Sequence, residues 1–189
     1  MILFKIRIKN TFYGISFSFF LVIALTMLCT AAQTDKILVT LVCCAFHEMG
    51  HLLMMTIFGT SPKEIVVYGG GIRITPDSRL LDRNRELAVL LAGAAVNFIL
   101  GTVAYLAQGC TFFSQVNFML GIMNMLPFRY FDGGRVLTLL LKEGRACDLL
   151  RALFIFLSAI AMIQMILNGS VSISFAATFC FIVLSEIIY

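Results

Sequence analysis

The sequence predicts an all-α polytopic membrane protein of about six transmembrane helices, with a short membrane-associated β-hairpin after the second helix. Three observations carry that expectation. Of 189 residues, 60% are hydrophobic and 13% charged, against roughly 45–50% and about 25% in a soluble domain. Apolar runs close to the roughly 20 residues needed to cross a bilayer recur along the chain. One polar interval, finally, holds two β-rich stretches around three consecutive glycines.

The runs fall at about 13–32, 36–58, 87–107, 111–127, 148–167 and 171–188. Lys5, Arg7 and Lys9 precede the first, as in a signal peptide. The cleavage-like signal near Thr30-Ala31-Ala32 is weak and further spans follow, so the first helix is expected to be retained. After the second run, Ile65-Val66-Val67-Tyr68 and Ile72-Arg73-Ile74-Thr75 flank Gly69, Gly70 and Gly71 and read as a hairpin at the cytoplasmic interface. A phosphate-binding loop would require Gly-Lys-Ser/Thr after the glycines, and none follows. The fourth run is interrupted by Pro127 and Gly133-Gly134. Broken backbone at membrane depth is tolerated only where protein or a watery cavity satisfies it, so a site is expected there.

Six cysteines are scattered without a C-x-x-C pair and read as packing residues. The net charge of +4 reads as topology, and no nucleic-acid partner is expected. Of the 14 Lys and Arg residues, all but Lys36 fall on one side of a six-span arrangement. That places both termini in the cytoplasm. The expected organisation is one membrane-embedded domain, 1–189, with a catalytic core at about 36–141 and no PDZ or other soluble domain.

His47-Glu48-Met49-Gly50-His51 is an H-E-x-x-H pattern inside the second run, and its histidines are the only two in the chain. Residues four apart share a helix face, so both rings can bind one zinc while the Glu serves as general acid/base. Titratable groups within a span are costly, and a bound divalent metal accounts for all three together. Catalytic zinc takes three protein ligands and leaves one position open. With no third His, the remaining ligand is a carboxylate or a thiolate. Asp132, beside the disrupted end of the fourth run, is the leading candidate. Cys43 lies one turn before His47, but three ligands on successive turns spread over about 12 Å and cannot all reach one ion.

These residues resemble the site-2 protease family of intramembrane zinc metalloproteases. His47-Glu48-Met49-Gly50-His51 matches its H-E-x-x-H. Asn124-Met125-Leu126-Pro127 followed by Asp132-Gly133-Gly134 matches its N-x-x-P-x-x-x-x-D-G-G segment, and Gly93 with Asn97 matches part of its G-P-x-x-N element. The resemblance implies that His47, His51 and Asp132 bind one Zn2+ per chain and that Glu48 is the general acid/base. It also sets Asn124 and Asn97 beside the site, where each either contacts substrate or the developing oxyanion, or makes an interhelical hydrogen bond. Ala94 stands where the family has Pro, and Arg129-Tyr130-Phe131 replaces a Pro- and Leu-rich approach to the Asp. The family also suggests that the hairpin at Gly69, Gly70 and Gly71 guides substrate, by adding an unwound segment as a strand.

The function implied is hydrolysis of a peptide bond in or near a transmembrane segment, at a site facing the cytoplasm. The partners implied are a transmembrane protein substrate, the lipid bilayer and a regulatory membrane protein. The compact build resembles a minimal bacterial or archaeal member, such as those processing a pro-sigma factor in sporulation. Two rivals stand beside it: a divalent-metal transporter or binding protein, and a catalytically silent relative acting as a membrane chaperone. Neither rival requires acid/base work of Glu48.

Overall fold

The computed structural model describes residues 2–8, 11–17, 34–68, 71–76 and 82–168, together with Val183 and Glu186. They fall into two compact units, Met1–Ile122 and Met123–Tyr189.

The first unit opens with strands β1 (Ile2–Ile8) and β2 (Thr11–Ser16). Helix α1 (Thr34–Ile57) follows, then β3 (Pro62–Tyr68) and β4 (Gly71–Pro76). Helices α2 (Arg83–Gln108) and α3 (Phe112–Asn124) come next. The strands form one sheet in the order β1-β2-β3-β4. β1 pairs antiparallel with β2, β2 runs parallel to β3, and β3 pairs antiparallel with β4. The expected hairpin is therefore present, with Val66 opposite Arg73 and Tyr68 opposite Gly71. Gly69 and Gly70 lie outside the described residues.

The sheet corrects the all-α expectation. In β1 the residues Phe4, Lys5, Ile6 and Arg7 alternate apolar and basic, which is the two-residue period of a strand. Lys5 bonds Glu64 at 2.9 Å, and both Lys5 and Arg7 lie over the Phe12 ring. The basic residues thus belong to one sheet face, where the sequence reading took them as the flank of a helix. Of the expected first span, residues 13–16 are strand and 18–32 lie outside the described residues.

Among the described residues three helices are long and apolar enough to cross a membrane: Asp35–Ile57, Arg83–Gln108 and Arg145–Leu167. They coincide with the second, third and fifth expected runs. Their outward side chains, such as Leu53, Ile57, Ile99 and Leu106, are exposed and apolar, which suits contact with lipid and not with water. The fourth run forms only the 13-residue α3. Beyond Pro127 and the following loop, the chain restarts as a separate helix. The sixth run falls almost wholly outside the described residues, so a count of six helices is not established.

A stripe of small and polar residues holds the first unit together. Cys43, His47, Gly50, His51 and Met55 are buried at helical spacing on α1, as are Val89, Gly93, Asn97 and Gly101 on α2. A Cβ on Gly50 would lie 2.6 Å from the Ala92 carbonyl oxygen. Only glycine permits this approach of two backbones, the small-residue packing common between membrane helices. Gly121 of α3 similarly lies against the Phe98 ring, 2.9 Å from where its Cβ would be.

In the second unit, α4 (Asp132–Leu141) and α5 (Arg145–Leu167) follow the loop from Met125. The loop folds back on the start of α4. The Phe128 carbonyl accepts from the Phe131 N–H at 3.0 Å, and the Phe131 carbonyl accepts from the Gly134 N–H at 3.1 Å. A Cβ on Gly133 or Gly134 would collide with the carbonyl oxygens of Met125 and Phe128 respectively. The Gly-Gly pair is thus what lets the chain pass so close to its own loop.

Candidate metal centre

His47 and His51 lie one turn apart on α1 and both are buried, at 5% and 7% exposure. Each ring is held by its Nδ1. His51 Nδ1 stands 2.7 Å from the Val89 carbonyl oxygen, which can only accept, so this nitrogen carries the proton. His47 Nδ1 stands 2.6 Å from Asn97 Oδ1 and donates likewise. The rings meet edge to face, their Nε2 atoms 3.2 Å apart.

That contact is the telling feature of the site. A neutral imidazole has one N–H and one lone pair. When both rings are neutral with their protons on Nδ1, two lone pairs face each other, an arrangement suited to sharing a cation. The donors fit a divalent ion bound through two Nε2 atoms, each ring oriented from behind by an acceptor, as metal-binding histidines generally are.

Gly93 completes the cradle. A Cβ there would collide with His51 Nε2 and lie 2.7 Å from both Cε1 and Nε2 of His47. The imidazoles therefore occupy the space a side chain would fill. One turn further along α2 is Asn97, fully buried. Its amide is committed within the protein: Oδ1 accepts from His47, and Nδ2 donates to Asn117 Oδ1 at 2.9 Å and to the Cys43 carbonyl at 3.3 Å. This places Asn97 behind a ligand, with no hydrogen directed to a substrate. Cys43 is a buried free thiol whose sulfur accepts from Asn117 Nδ2 at 3.2 Å.

The other sequence-predicted residues have defined places. Glu48 follows His47 on α1 and is half-buried. Asn124 ends α3, and Asp132 opens α4, where a carboxylate suits the positive end of the helix. His47 and His51 of the first unit and Asp132 of the second are all described residues of metal-ligating type. Gly71 opens β4. Sequence reading missed the Val89 carbonyl and Asn117. A main-chain acceptor leaves no trace in residue type, whereas a buried Asn in an apolar run is a signal that was available.

Residues 106–168 match the sequence profile of peptidase family M50, a stretch that includes Asp132. The chain is 29% identical over 111 residues to a zinc metalloprotease of Methanocaldococcus jannaschii. That match covers 51% of this chain but only 31% of the relative, so it spans about a third of the relative's length. Among solved structures, the site-2 protease from Methanocaldococcus jannaschii superposes with a TM-score of 0.66 at 22% identity, covering 96% of this chain and 91% of that one. The two share a fold.

Proposed function

We propose that the chain is a zinc metalloprotease of the site-2 protease family, in keeping with the matches above, and that it is an intramembrane endopeptidase, hydrolysing a peptide bond in or near a transmembrane segment of a second membrane protein. The observation that carries this reading is the facing pair of Nε2 atoms, 3.2 Å apart, on rings whose Nδ1 atoms both meet oxygen acceptors, with a carboxylate one residue along the same helix. His47, His51 and Asp132 would hold one Zn2+. Bound zinc supplies a Lewis acid that polarises a carbonyl and lowers the pKa of water toward about 7.

The chain's own groups do the rest. Glu48 takes a proton from the attacking water and returns it to the leaving amine. Val89 and Asn97 hold the two imidazoles so that their lone pairs stay convergent. Asn124 contacts the substrate backbone or the developing oxyanion. The β3–β4 hairpin, including Gly71, offers an edge on which an unwound substrate segment recovers backbone hydrogen bonds, since β4 ends the sheet order.

The site faces the cytoplasm and both termini lie there, following the placement of Lys and Arg. In support, β2 pairs with β3, so the N-terminal basic strands and the hairpin share one side. The bilayer and a regulatory membrane protein complete the set of partners.

The test is metal content and cleavage together for wild type and Asp132→Ala. Wild type is expected to hold about one zinc per chain and to cut a single-span reporter substrate. Asp132→Ala should lose most of both. Full zinc retention in the variant would remove Asp132 from the ligand set.

A further inference from the structure

We propose that Asn117 is a positioning residue which, acting through Asn97, sets the ring nitrogen of His47 that carries the proton. The proposal deepens the metal-centre reading above and rests on it for its purpose, though not for its test.

A main-chain carbonyl oxygen can only accept a hydrogen bond, and its polarity fixes the side chains that meet it. The Phe113 carbonyl, one turn before Asn117 on α3, lies 2.9 Å from Asn117 Nδ2. That end of the Asn117 amide must therefore be the NH2 group, and Oδ1 is turned toward Asn97. There it accepts from Asn97 Nδ2 at 2.9 Å. The Cys43 carbonyl on α1 lies farther from the same Nδ2, at 3.3 Å, so Asn117 is the nearer of the two acceptors that hold the NH2 group there. With its NH2 so fixed, Asn97 presents Oδ1 to His47 Nδ1 at 2.6 Å. His47 must then donate from Nδ1, and its Nε2 keeps the lone pair a metal needs.

Both asparagines are 0% exposed, so no solvent is at hand to satisfy a flipped amide. A flip of Asn97 would set its oxygen against those of Asn117 and Cys43 and turn its NH2 toward His47 Nδ1, which could accept only by moving its own proton to Nε2. The small residue Gly101 admits this arrangement, since its Cβ would lie 3.3 Å from the Asn117 Cβ. The polarity of one turn of α3 thus reaches α1 through two side chains of neighbouring helices. His51 is set independently by the Val89 carbonyl, which gives an internal control.

Because the chain has only two histidines, ring nitrogen shifts of nitrogen-15 histidine-labelled, metal-free protein in detergent micelles report each tautomer directly. Wild type is expected to show both rings protonated on Nδ1. Asn117→Leu fills the space without an acceptor, and should move the His47 signals toward the Nε2–H form while His51 stays unchanged. Its zinc affinity, measured by competition with a chelator, should fall on the order of ten-fold. Asn117→Asp, as the protonated acid, keeps an acceptor toward Asn97 and a donor toward the Phe113 carbonyl, and should restore the wild-type pattern. If Asn117→Leu does not fold, Asn117→Ala is read in the same way.

An unchanged His47 tautomer in the folded apolar variant would overturn the proposal. So would an equal change in both histidines, which would signal a general loss of packing. Wild type with both rings protonated on Nδ1, yet unable to bind zinc, would defeat the metal reading and leave the relay standing. Zinc binding by wild type with no response to Asn117 would defeat the relay alone.

Discussion

Gly93 and Asn97 stand one turn apart on α2, and each serves the histidine pair, one by having no side chain and the other by accepting from His47 Nδ1. Gly93→Ala should therefore weaken zinc binding at least on the order of ten-fold, since a methyl group would occupy the space of both imidazoles. Helix content by circular dichroism should stay close to wild type, because the clash is with two side chains and not with a backbone. Wild-type zinc affinity in this variant would show that the imidazoles can move aside without consequence. The sequence made the ligands and Glu48 legible because H-E-x-x-H fixes residue type and spacing at once. It did not reveal what Gly93 does, since the need for a glycine comes from groups on a different helix. The role of Asn97 was open for a related reason: an amide in an apolar run needs a partner, and the run does not say which.

At the scale of elements, the hairpin was readable from its glycines and β-rich flanks, whereas β1 and β2 were not. Lys5 and Arg7 before an apolar run have the composition of a helix flank, and the strand that seats β2 comes only after the whole of α1, at β3. The hairpin gives a prediction. Gly71→Pro removes the N–H of the first residue of β4, opposite Tyr68, and should reduce cleavage of a transmembrane reporter while zinc content stays at wild-type level. Equal cleavage would remove the hairpin from substrate handling.

The loop before Asp132 gives another. Glu186 is 5% exposed and accepts from the Arg129 backbone N–H at 2.8 Å, with the guanidinium of the buried Arg151 at 3.7 Å. Arg151 also donates to Thr138 Oγ1 at 2.7 Å. Glu186→Gln removes that carboxylate while Asp148, 3.8 Å from Arg151, remains, and should lower stability by about 1–3 kcal/mol, the scale for losing hydrogen bonds to a charged group. Thermal unfolding in detergent reads the loss, and the double variant with Arg151→Met should recover part of it. These four residues were not legible as a group, because only the fold brings Arg129, Thr138, Arg151 and Glu186 together.

For the whole molecule, composition settled the membrane setting at once, and three of the six expected spans appear as helices of sufficient length. The fourth departs for a physical reason. Pro127 and the glycines after Asp132 stop one helix and let the next begin against the loop, so an apolar run of nearly spanning length becomes two short elements. The chain shares its fold with a solved site-2 protease, at a TM-score of 0.66. If zinc binds the folded state only, its removal should destabilise the whole chain. Dialysis against a strong chelator should then lower the thermal midpoint, and added zinc should restore it. The central claim is that this chain uses its metal for proteolysis and that Glu48 moves the proton. The most direct measurement is zinc content and reporter cleavage of wild type beside Glu48→Gln. The account predicts about one zinc per chain in both and cleavage in wild type alone; cleavage by Glu48→Gln at the wild-type rate, or no metal in either protein, would contradict it.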